Sequence, residues 1–148
     1  MSDREHHDPV SCARAWQTLR LAHNRVAHRL AADLTSECGL SLSEFDALVY
    51  LRMHENEEVR INALLEPVAL SQPALSRLVT RLEQRELVRR SGAEDDRRGI
   101  ALSLTSAGSA VADRAIAVQT RAVHQTLTGK LSESDQATLL NVLHQLEQ

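Results

Sequence analysis

The chain has few aromatic residues, few cysteines and no long apolar run, and each shortage argues against a class of protein. One Trp, one Tyr and one Phe occur among 148 residues, which disfavours surfaces that stack nucleic-acid bases on aromatic rings. Two cysteines, Cys12 and Cys38, cannot form a disulfide scaffold and indicate a reducing compartment. No apolar run approaches the ~20 residues of a membrane span, and the N-terminus is polar. We therefore expect a cytoplasmic protein.

Enzymatic motifs are also missing. The sequence contains no Gly-rich phosphate loop, nucleophile elbow, HExxH or CxxC, so we predict that the chain is not an enzyme and needs no cofactor. Seven histidines occur, but apart from the adjacent His6 and His7 none are closely spaced, and we predict no metal site. The net charge of −3 means that any nucleic-acid surface must be local.

With only five Gly and three Pro, most of the sequence is typical of helix. A first helix is predicted over 11–34, where six residues form one stripe and Gly39 follows as a terminator. The stripe consists of Cys12, Trp16, Leu19, His23, Val26 and Leu30. Ser41 and Glu44 predict a capping box for a second helix ending near His54, with Leu48, Leu51 and Met53 facing inward.

The middle of the chain predicts a helix-turn-helix followed by a β wing. A short third helix is expected from Arg60 to about Glu66, stopped near Pro67. In the next helix, Ser71 is placed as the cap and Pro73 in the first turn, and the helix runs to about Glu86. Two strand-like stretches, 87–90 and 100–104, flank a polar hairpin.

Helix returns after Thr105, a predicted N-cap, and a final helix follows Ser132 and Asp135. The fold class is therefore mainly α with a small β wing: a winged helix-turn-helix flanked by N- and C-terminal dimerisation helices. Residues 37–104 would form the DNA-binding region, and residues 1–36 with 105–148 the helical dimerisation region.

The helix after Ser71 has two chemically different faces. Leu75, Leu78, Val79 and Leu82 fall on one side, while Ser76, Arg77, Thr80 and Arg81 fall opposite. Across residues 71–90 five Arg stand against two Glu, which makes a positive region on an acidic protein. Such a region can steer the protein onto a phosphate backbone, and Arg, Ser and Thr can contact bases or phosphates.

Several motifs together resemble the MarR (multiple antibiotic resistance regulator) family. They are the run from Leu70 to Val79, Arg81-Leu82-Glu83, the run from Leu87 to Arg90, Asp96-Arg97-Arg98-Gly99, and Leu104-Thr105-Ser106-Ala107-Gly108. The similarity covers nearly the whole chain in order and spacing. It implies a homodimeric winged-helix transcription factor that binds palindromic operators in double-stranded DNA, usually as a repressor released by a small molecule or an oxidant.

The resemblance places Ser71, Gln72, Ser76, Arg77 and Arg81 in the helix that reads DNA, and Asp96 and Arg98 in the wing. Arg97 at the same hairpin tip and Thr80 on the exposed helix face complete the predicted DNA-binding set. Two departures from the family pattern are Glu86, where a helix-ending Gly is usual, and Pro67, where the third helix usually continues.

Two sensors are conceivable on the first helix. Trp16, Arg20 and His23 could bind an aromatic carboxylate or similar organic anion; alternatively, they are core, solvated and interface residues without a ligand. Cys12, near a helix start, could be redox-active, or it could be a buried inert thiol. A winged helix that binds proteins and not DNA is a further alternative.

Overall fold

The computed structural model describes residues 8–92 and 99–147. Within these ranges it contains six α-helices, three short strands and two 3-10 turns. In chain order these are α1 (Pro9–Cys38), α2 (Leu42–Met53), β1 (Val59–Arg60), a 3-10 turn (Ile61–Leu64), α3 (Leu65–Val68), α4 (Gln72–Gln84), β2 (Val88–Ser91), β3 (Ala101–Leu104), α5 (Ser106–Thr126), a second 3-10 turn (Thr128–Lys130) and α6 (Glu133–His144). No helix in the described part of the chain is long and apolar enough to span a membrane.

The chain divides into two compact units, which are described separately. Ala31–Arg121 form one unit, and the described residues before and after that range form the other. The boundaries between these two units lie inside α1 and α5. The boundaries expected from the sequence between the DNA-binding and dimerisation regions lie at 36/37 and 104/105.

The central unit contains an aliphatic core with one aromatic ring, Phe45. The largest of its fully buried side chains are Phe45, Leu34, Leu40, Leu48, Leu64, Leu75, Leu78, Leu82, Val79 and Val88. They come from the end of α1, the connection from α1 to α2, α2 itself, the first 3-10 turn, α4 and β2. The packing of α4 against this core fixes which of its faces remains exposed.

The connection between α1 and α2 follows the predicted signals. Gly39 has φ +63°, and the Leu40 amide donates to the Leu34 carbonyl at 3.3 Å, as in a glycine-terminated helix. Ser41 and Glu44 form the capping box of α2. The prediction for Met53 was wrong, since that side chain is 76% exposed: it lies about 140° around the helix from the buried Leu48.

The predicted limits of two helices need correction. α1 begins at Pro9 because the Asp8 carboxylate accepts hydrogen bonds from the Val10 and Ser11 amides, both at 3.2 Å. It continues to Cys38, immediately before Gly39. The expected third helix is instead a strand residue, Arg60, followed by a 3-10 turn and α3.

Pro67 does not stop α3 but lies in its first turn, where no backbone donor is required. The helix ends at Val68, and its C-cap residue Ala69 has φ +53°. The 3-10 turn and α3 carry the buried Leu64 and Val68, which anchor this segment before α4.

The wing is built on an antiparallel sheet in the order β1-β3-β2. Val88 pairs with Leu104 and Ser91 with Ala101, which confirms the two predicted strands. Val59 of β1 pairs with Leu102; two residues are too few to give a strand pattern in the sequence.

The turn from α4 into β2 has a residue in a left-handed conformation. Glu86 has φ +57°, and the Leu87 amide donates to the Leu82 carbonyl at 3.0 Å. This is the closure in which glycine is usual, and the Glu86 side chain adds a steric penalty in this conformation.

Thr105 and Gly108 join the start of α5 to that same turn. The Gly108 amide donates to Thr105 Oγ1 at 2.9 Å, which confirms Thr105 as the N-cap. Thr105 Oγ1 donates to the Glu86 carbonyl at 2.6 Å. A Cβ on Gly108 would lie 1.9 Å from the Leu87 carbonyl oxygen, so only glycine allows this approach.

The second unit has almost no core of its own. Of its described residues only Leu30 and Ala122 are buried. Large apolar side chains remain exposed in α1, in α6 and just after α6: Val10, Trp16, Leu19, Leu21, Leu140, Val142 and Leu146.

The predicted capping box of Ser132 and Asp135 is present at the start of α6. The hydrogen bonds from Ser132 lower the pKa of Asp135.

Candidate nucleic-acid interface

Helix α4 presents a polar face to solvent and a buried aliphatic face to the core. Leu75, Leu78, Val79 and Leu82 are buried, and Ser76, Arg77, Thr80 and Arg81 are exposed. The predicted separation of the two faces is therefore confirmed. The exposed face combines hydroxyl groups and guanidinium groups, the donors that recognise base edges and phosphates.

The first turn of α4 has no side-chain cap. Ser71 has the extended backbone of an N-cap residue, but its hydroxyl makes no capping hydrogen bond, so the expected capping role of its side chain was wrong. Pro73 occupies the first turn without needing a donor. The Gln72 side-chain amide donates to Asn62 Oδ1 at 3.1 Å, which ties the helix start to the preceding 3-10 turn.

Ser71 and Gln72 are both exposed at this end of the helix. A cavity of about 370 Å³ opens beside them. Its lining consists of Ile61, Asn62, Gln72, Pro73, Leu75 and Ser76. Asn62 was not predicted as a site residue, because its place beside Gln72 depends on the 3-10 turn, which the sequence pattern did not indicate.

Thr80 is held by its neighbours. Its hydroxyl donates to the Ser76 carbonyl at 3.0 Å and accepts from Arg90 Nη2 at 2.9 Å. Arg90 Nε lies 3.2 Å from Glu83 Oε2, although this buried N–H has no aligned hydrogen-bond acceptor among the described residues. Arg90, on β2, thus links the wing strand to the exposed face of α4.

The two predicted arginines of α4 differ in their surroundings. Arg77 makes no hydrogen bond or ion pair that involves the described part of the chain. Arg81 Nε lies 3.6 Å from Glu44 Oε1, and Arg85 Nη1 lies 3.5 Å from Glu44 Oε2. The carboxylate near Arg81 comes from α2, so the residue pattern within α4 could not indicate it.

The wing residues Asp96, Arg97 and Arg98 lie outside the described residues, so their roles stay predictions. The described base of the wing is tied to β1: the Ile61 amide donates to the Ile100 carbonyl at 2.9 Å, and Arg60 Nη1 donates to the Gly99 carbonyl at 2.6 Å. Arg60 also pairs with Glu58. Arg60 was not predicted as a site residue, because the sequence pattern places it in a helix.

The candidate sensor residues are all on the surface of the second unit. Trp16 is 64% exposed, and Arg20 and His23 are exposed. His23 Nδ1 lies 3.4 Å from Asn24 Oδ1. A groove of about 510 Å³ runs between α1 and Leu139 of α6; none of the three residues lines it.

The two cysteines differ in exposure. Cys12 is exposed and Cys38 is buried. The interpretation of Cys12 as a buried thiol was therefore wrong for this chain, because the stripe on which it lies is not covered at that end of α1. Cys38 is buried at the end of α1, where a structural role was expected.

One further cavity in the central unit was not anticipated. It measures about 200 Å³ and lies between α2, α3 and α5, and burial raises the pKa of Asp46 on its wall. No group of three His, Cys, Asp or Glu side chains in residues 8–92 and 99–147 could hold a metal ion.

The arrangement of these elements defines a class. A short helical segment (the 3-10 turn with α3) leads through a tight turn into α4, whose exposed face is polar, and an antiparallel hairpin follows it directly. This is a winged helix-turn-helix fold.

Comparison with known proteins finds similarity to one family. Residues 39–99 match the sequence profile described as the MarR family. The multiple antibiotic resistance protein MarR of Escherichia coli (strain K12) is 28% identical over 128 residues, which cover 81% of this chain and 83% of that protein.

Two solved structures extend the likeness to the whole fold. AbsC, a MarR family transcriptional regulator from Streptomyces coelicolor, superposes with a TM-score of 0.80 at 28% identity over 99% of this chain and 94% of AbsC. Sco3205, a MarR family transcriptional regulator of the same organism solved in complex with DNA, gives a TM-score of 0.84 at 23% identity over 99% and 91% of the two chains. The present chain is similar to members of the MarR family and has their winged-helix fold.

Proposed function

We propose that this protein is a transcriptional regulator that binds double-stranded DNA sequence-specifically, as a homodimer on a palindromic operator. The observation that carries the proposal is the exposed polar face of α4, backed by a buried aliphatic face. The relative Sco3205, which shares the fold, was solved in complex with DNA. The hydroxyl and guanidinium groups on this face can donate hydrogen bonds to base edges in the grooves of a DNA duplex and to its phosphates.

Within this proposal Arg77 binds a base edge or a phosphate, because its guanidinium has no partner in the described structure. Ser76 and Gln72 contact bases or phosphates, and the uncapped amides near Ser71 donate to a phosphate oxygen. Thr80, which Arg90 contacts, and Arg81, which Glu44 contacts, also bind the DNA. Arg97 and Arg98 of the wing enter the adjacent minor groove, with Asp96 orienting an arginine.

The DNA proposal is tested by comparing Arg77→Ala with Arg114→Ala. Arg114 is also exposed in the central unit and lies on α5, so it controls for loss of one positive charge. With duplexes from the region upstream of the coding sequence, Arg77→Ala should weaken specific binding by about 1–3 kcal/mol and Arg114→Ala should leave it close to wild type. Equal affinities for both variants would contradict the role of α4, and a wild type that binds no duplex would favour the protein-binding alternative.

The homodimer accounts for the exposed apolar side chains of the second unit. Leu19, Leu21, Leu140 and Leu146 are between 41% and 69% exposed, and covering each would contribute on the order of 1 kcal/mol. A second copy of the same unit supplies a complementary apolar surface under two-fold symmetry. On a palindromic operator, the two α4 helices of such a dimer would lie about 34 Å apart, on successive major grooves.

A charge placed in this surface tests the homodimer. Leu140→Glu should give a monomer in sedimentation analysis at concentrations where wild type is a dimer, because a carboxylate would be desolvated in the interface. Gln145→Glu adds the same charge at another exposed α6-end position and should preserve the dimer. A Leu140→Glu variant that remains dimeric would place the interface elsewhere.

We further propose that the regulator is a repressor, released by an organic anion such as an aromatic carboxylate bound at Trp16, Arg20 and His23. The accessibility of all three side chains supports this. The effector must bind the DNA-bound form more weakly, because the coupling between the two ligands is reciprocal. Calorimetry with a panel of aromatic carboxylates should detect binding to wild type and a loss in His23→Ala; equal binding by the variant would remove His23 from the site.

Redox control through Cys12 is a second candidate, favoured by the exposure of that thiol. Peroxide should then release wild-type protein from DNA and leave Cys12→Ser bound. Release of both proteins, or of neither, would count against this mode of control.

A further inference from the structure

The buried residue Glu44 has two roles in the structure, and only one of them concerns α2. Its carboxylate accepts a hydrogen bond from the Ser41 amide at 2.9 Å, which completes the capping box. The Glu44 side chain is only 10% exposed. Because the capping hydrogen bond and burial restrict its rotamers, the Glu44 carboxylate keeps one position in the structure.

The Glu44 carboxylate lies beside two guanidinium groups, one in the last turn of α4 and one at its C-cap. Arg81 Nε and Arg85 Nη1 are 3.6 and 3.5 Å from the two oxygens of Glu44. Arg85 is the C-cap residue of α4. One carboxylate thus restrains two guanidinium groups near the C-terminal end of α4, while Arg77, one turn earlier, is unrestrained.

We propose that Glu44 is a positioning and specificity-determining residue for DNA binding, an inference that rests on the proposed function. By neutralising part of the charge of Arg81 and Arg85, Glu44 weakens sequence-independent attraction to phosphates. By fixing the Arg81 guanidinium, it lowers the entropy lost when that side chain docks against its target. Both effects increase the ratio of operator affinity to affinity for unrelated DNA.

Glu44→Gln separates this role from helix capping. Glutamine at the third helical position can also close a capping box, but it carries no charge to pair with the arginines. Glu44→Asp keeps the charge and, as Asp135 of α6 demonstrates in this chain, aspartate can close a capping box too. Glu147→Gln removes one negative charge from the other unit and controls for net charge.

The experiment measures binding to an upstream duplex and to a scrambled duplex of the same length and composition, between about 50 and 200 mM salt. For Glu44→Gln we expect tighter binding to the scrambled duplex. The slope of log K against log salt should be steeper by about 0.9 for each additional phosphate that the protein neutralises. The ratio of affinity for the upstream duplex to affinity for the scrambled duplex should fall below the wild-type ratio. Glu44→Asp and Glu147→Gln should keep the wild-type slope and ratio.

Each alternative outcome has a distinct meaning. A Glu44→Gln protein with wild-type slope and ratio would overturn this inference and leave the proposed function intact, as would an equal change in Glu147→Gln. A wild type that binds neither duplex would overturn the proposed function, and this inference with it. If Glu44→Gln lowers the unfolding midpoint, the substitution is repeated in Glu86→Gly, a background expected to be more stable, with Glu86→Gly alone as the reference.

Discussion

The contact between α5 and the α4–β2 turn gives the sharpest stability prediction. An added Cβ at Gly108 would meet the Leu87 carbonyl oxygen at 1.9 Å and the carbonyl carbon at 2.9 Å. The start of α5 would have to move by roughly 1.5 Å to restore ordinary contact. That movement would disrupt the hydrogen bonds from the Thr105 amide to Leu87, 3.1 Å, and from Thr105 Oγ1 to Glu86, 2.6 Å.

Gly108→Ala should therefore destabilise the protein although alanine is the better helix former. Overpacking costs about 1–3 kcal/mol, and the weakened hydrogen bonds add about 1–2 kcal/mol. The higher helix propensity of alanine offsets about 1 kcal/mol of this loss. The net loss is about 2.5 kcal/mol, which should lower the urea midpoint by about 1 M.

The assay is equilibrium urea unfolding at one fixed protein concentration, because the proposed dimer would make the midpoint depend on concentration. Ser106→Ala, at an exposed position in the same helical turn, is the control and should change stability by less than about 0.5 kcal/mol. A Gly108→Ala protein as stable as wild type, or more stable, would refute the close approach on which the reasoning depends.

Two further predictions concern helix ends. Glu86→Gly should raise the free energy of unfolding by about 0.5–1 kcal/mol, because Glu86 has φ +57° and glycine adopts this conformation without the Cβ penalty; a lower urea midpoint would contradict this. Hydrogen bonds from Ser132 lower the pKa of Asp135 below its ordinary value of 3.8, so the ionised side chain stabilises α6 above that pH and the effect is lost as pH falls through the folded-state pKa. In a nuclear magnetic resonance titration, Ser132→Ala should move the Asp135 pKa back up, and an unchanged value would remove Ser132 as the cause.

Local signals in the sequence were sufficient for most of the fold. The capping box of Ser41 and Glu44 and the N-cap Thr105 use residues three apart, so their partners are visible in the pattern. The strands at 88–91 and 101–104 were predicted at 87–90 and 100–104, the second of them from its alternating pattern. The α1 start could also have been found, because Asp8 followed by Pro9 is a cap and a first-turn proline.

The errors and omissions involve information that a local pattern does not contain. Pro67 suggests a helix stop, yet a first-turn position accepts it, and the start of α3 depends on the packing of Leu64 and Val68. The place of Glu44 beside Arg81 depends on how α2 and α4 pack, across 37 positions in the chain. The exposure of Cys12 depends on what covers α1, which the sequence of one chain does not specify.

The polar side chains of α4 have different surroundings, which implies that they contribute differently to DNA binding. Thr80 is fixed by Arg90 and Ser76, and Arg81 is restrained by Glu44, whereas Arg77 keeps its freedom. Side chains that are already ordered lose little entropy on binding and favour one geometry, so they contribute mainly to discrimination. A free guanidinium can adapt to different partners and contributes mainly to affinity. Substitutions at Glu44 and Arg90 should therefore alter which DNA is bound, and substitutions at Arg77 should alter how tightly it is bound.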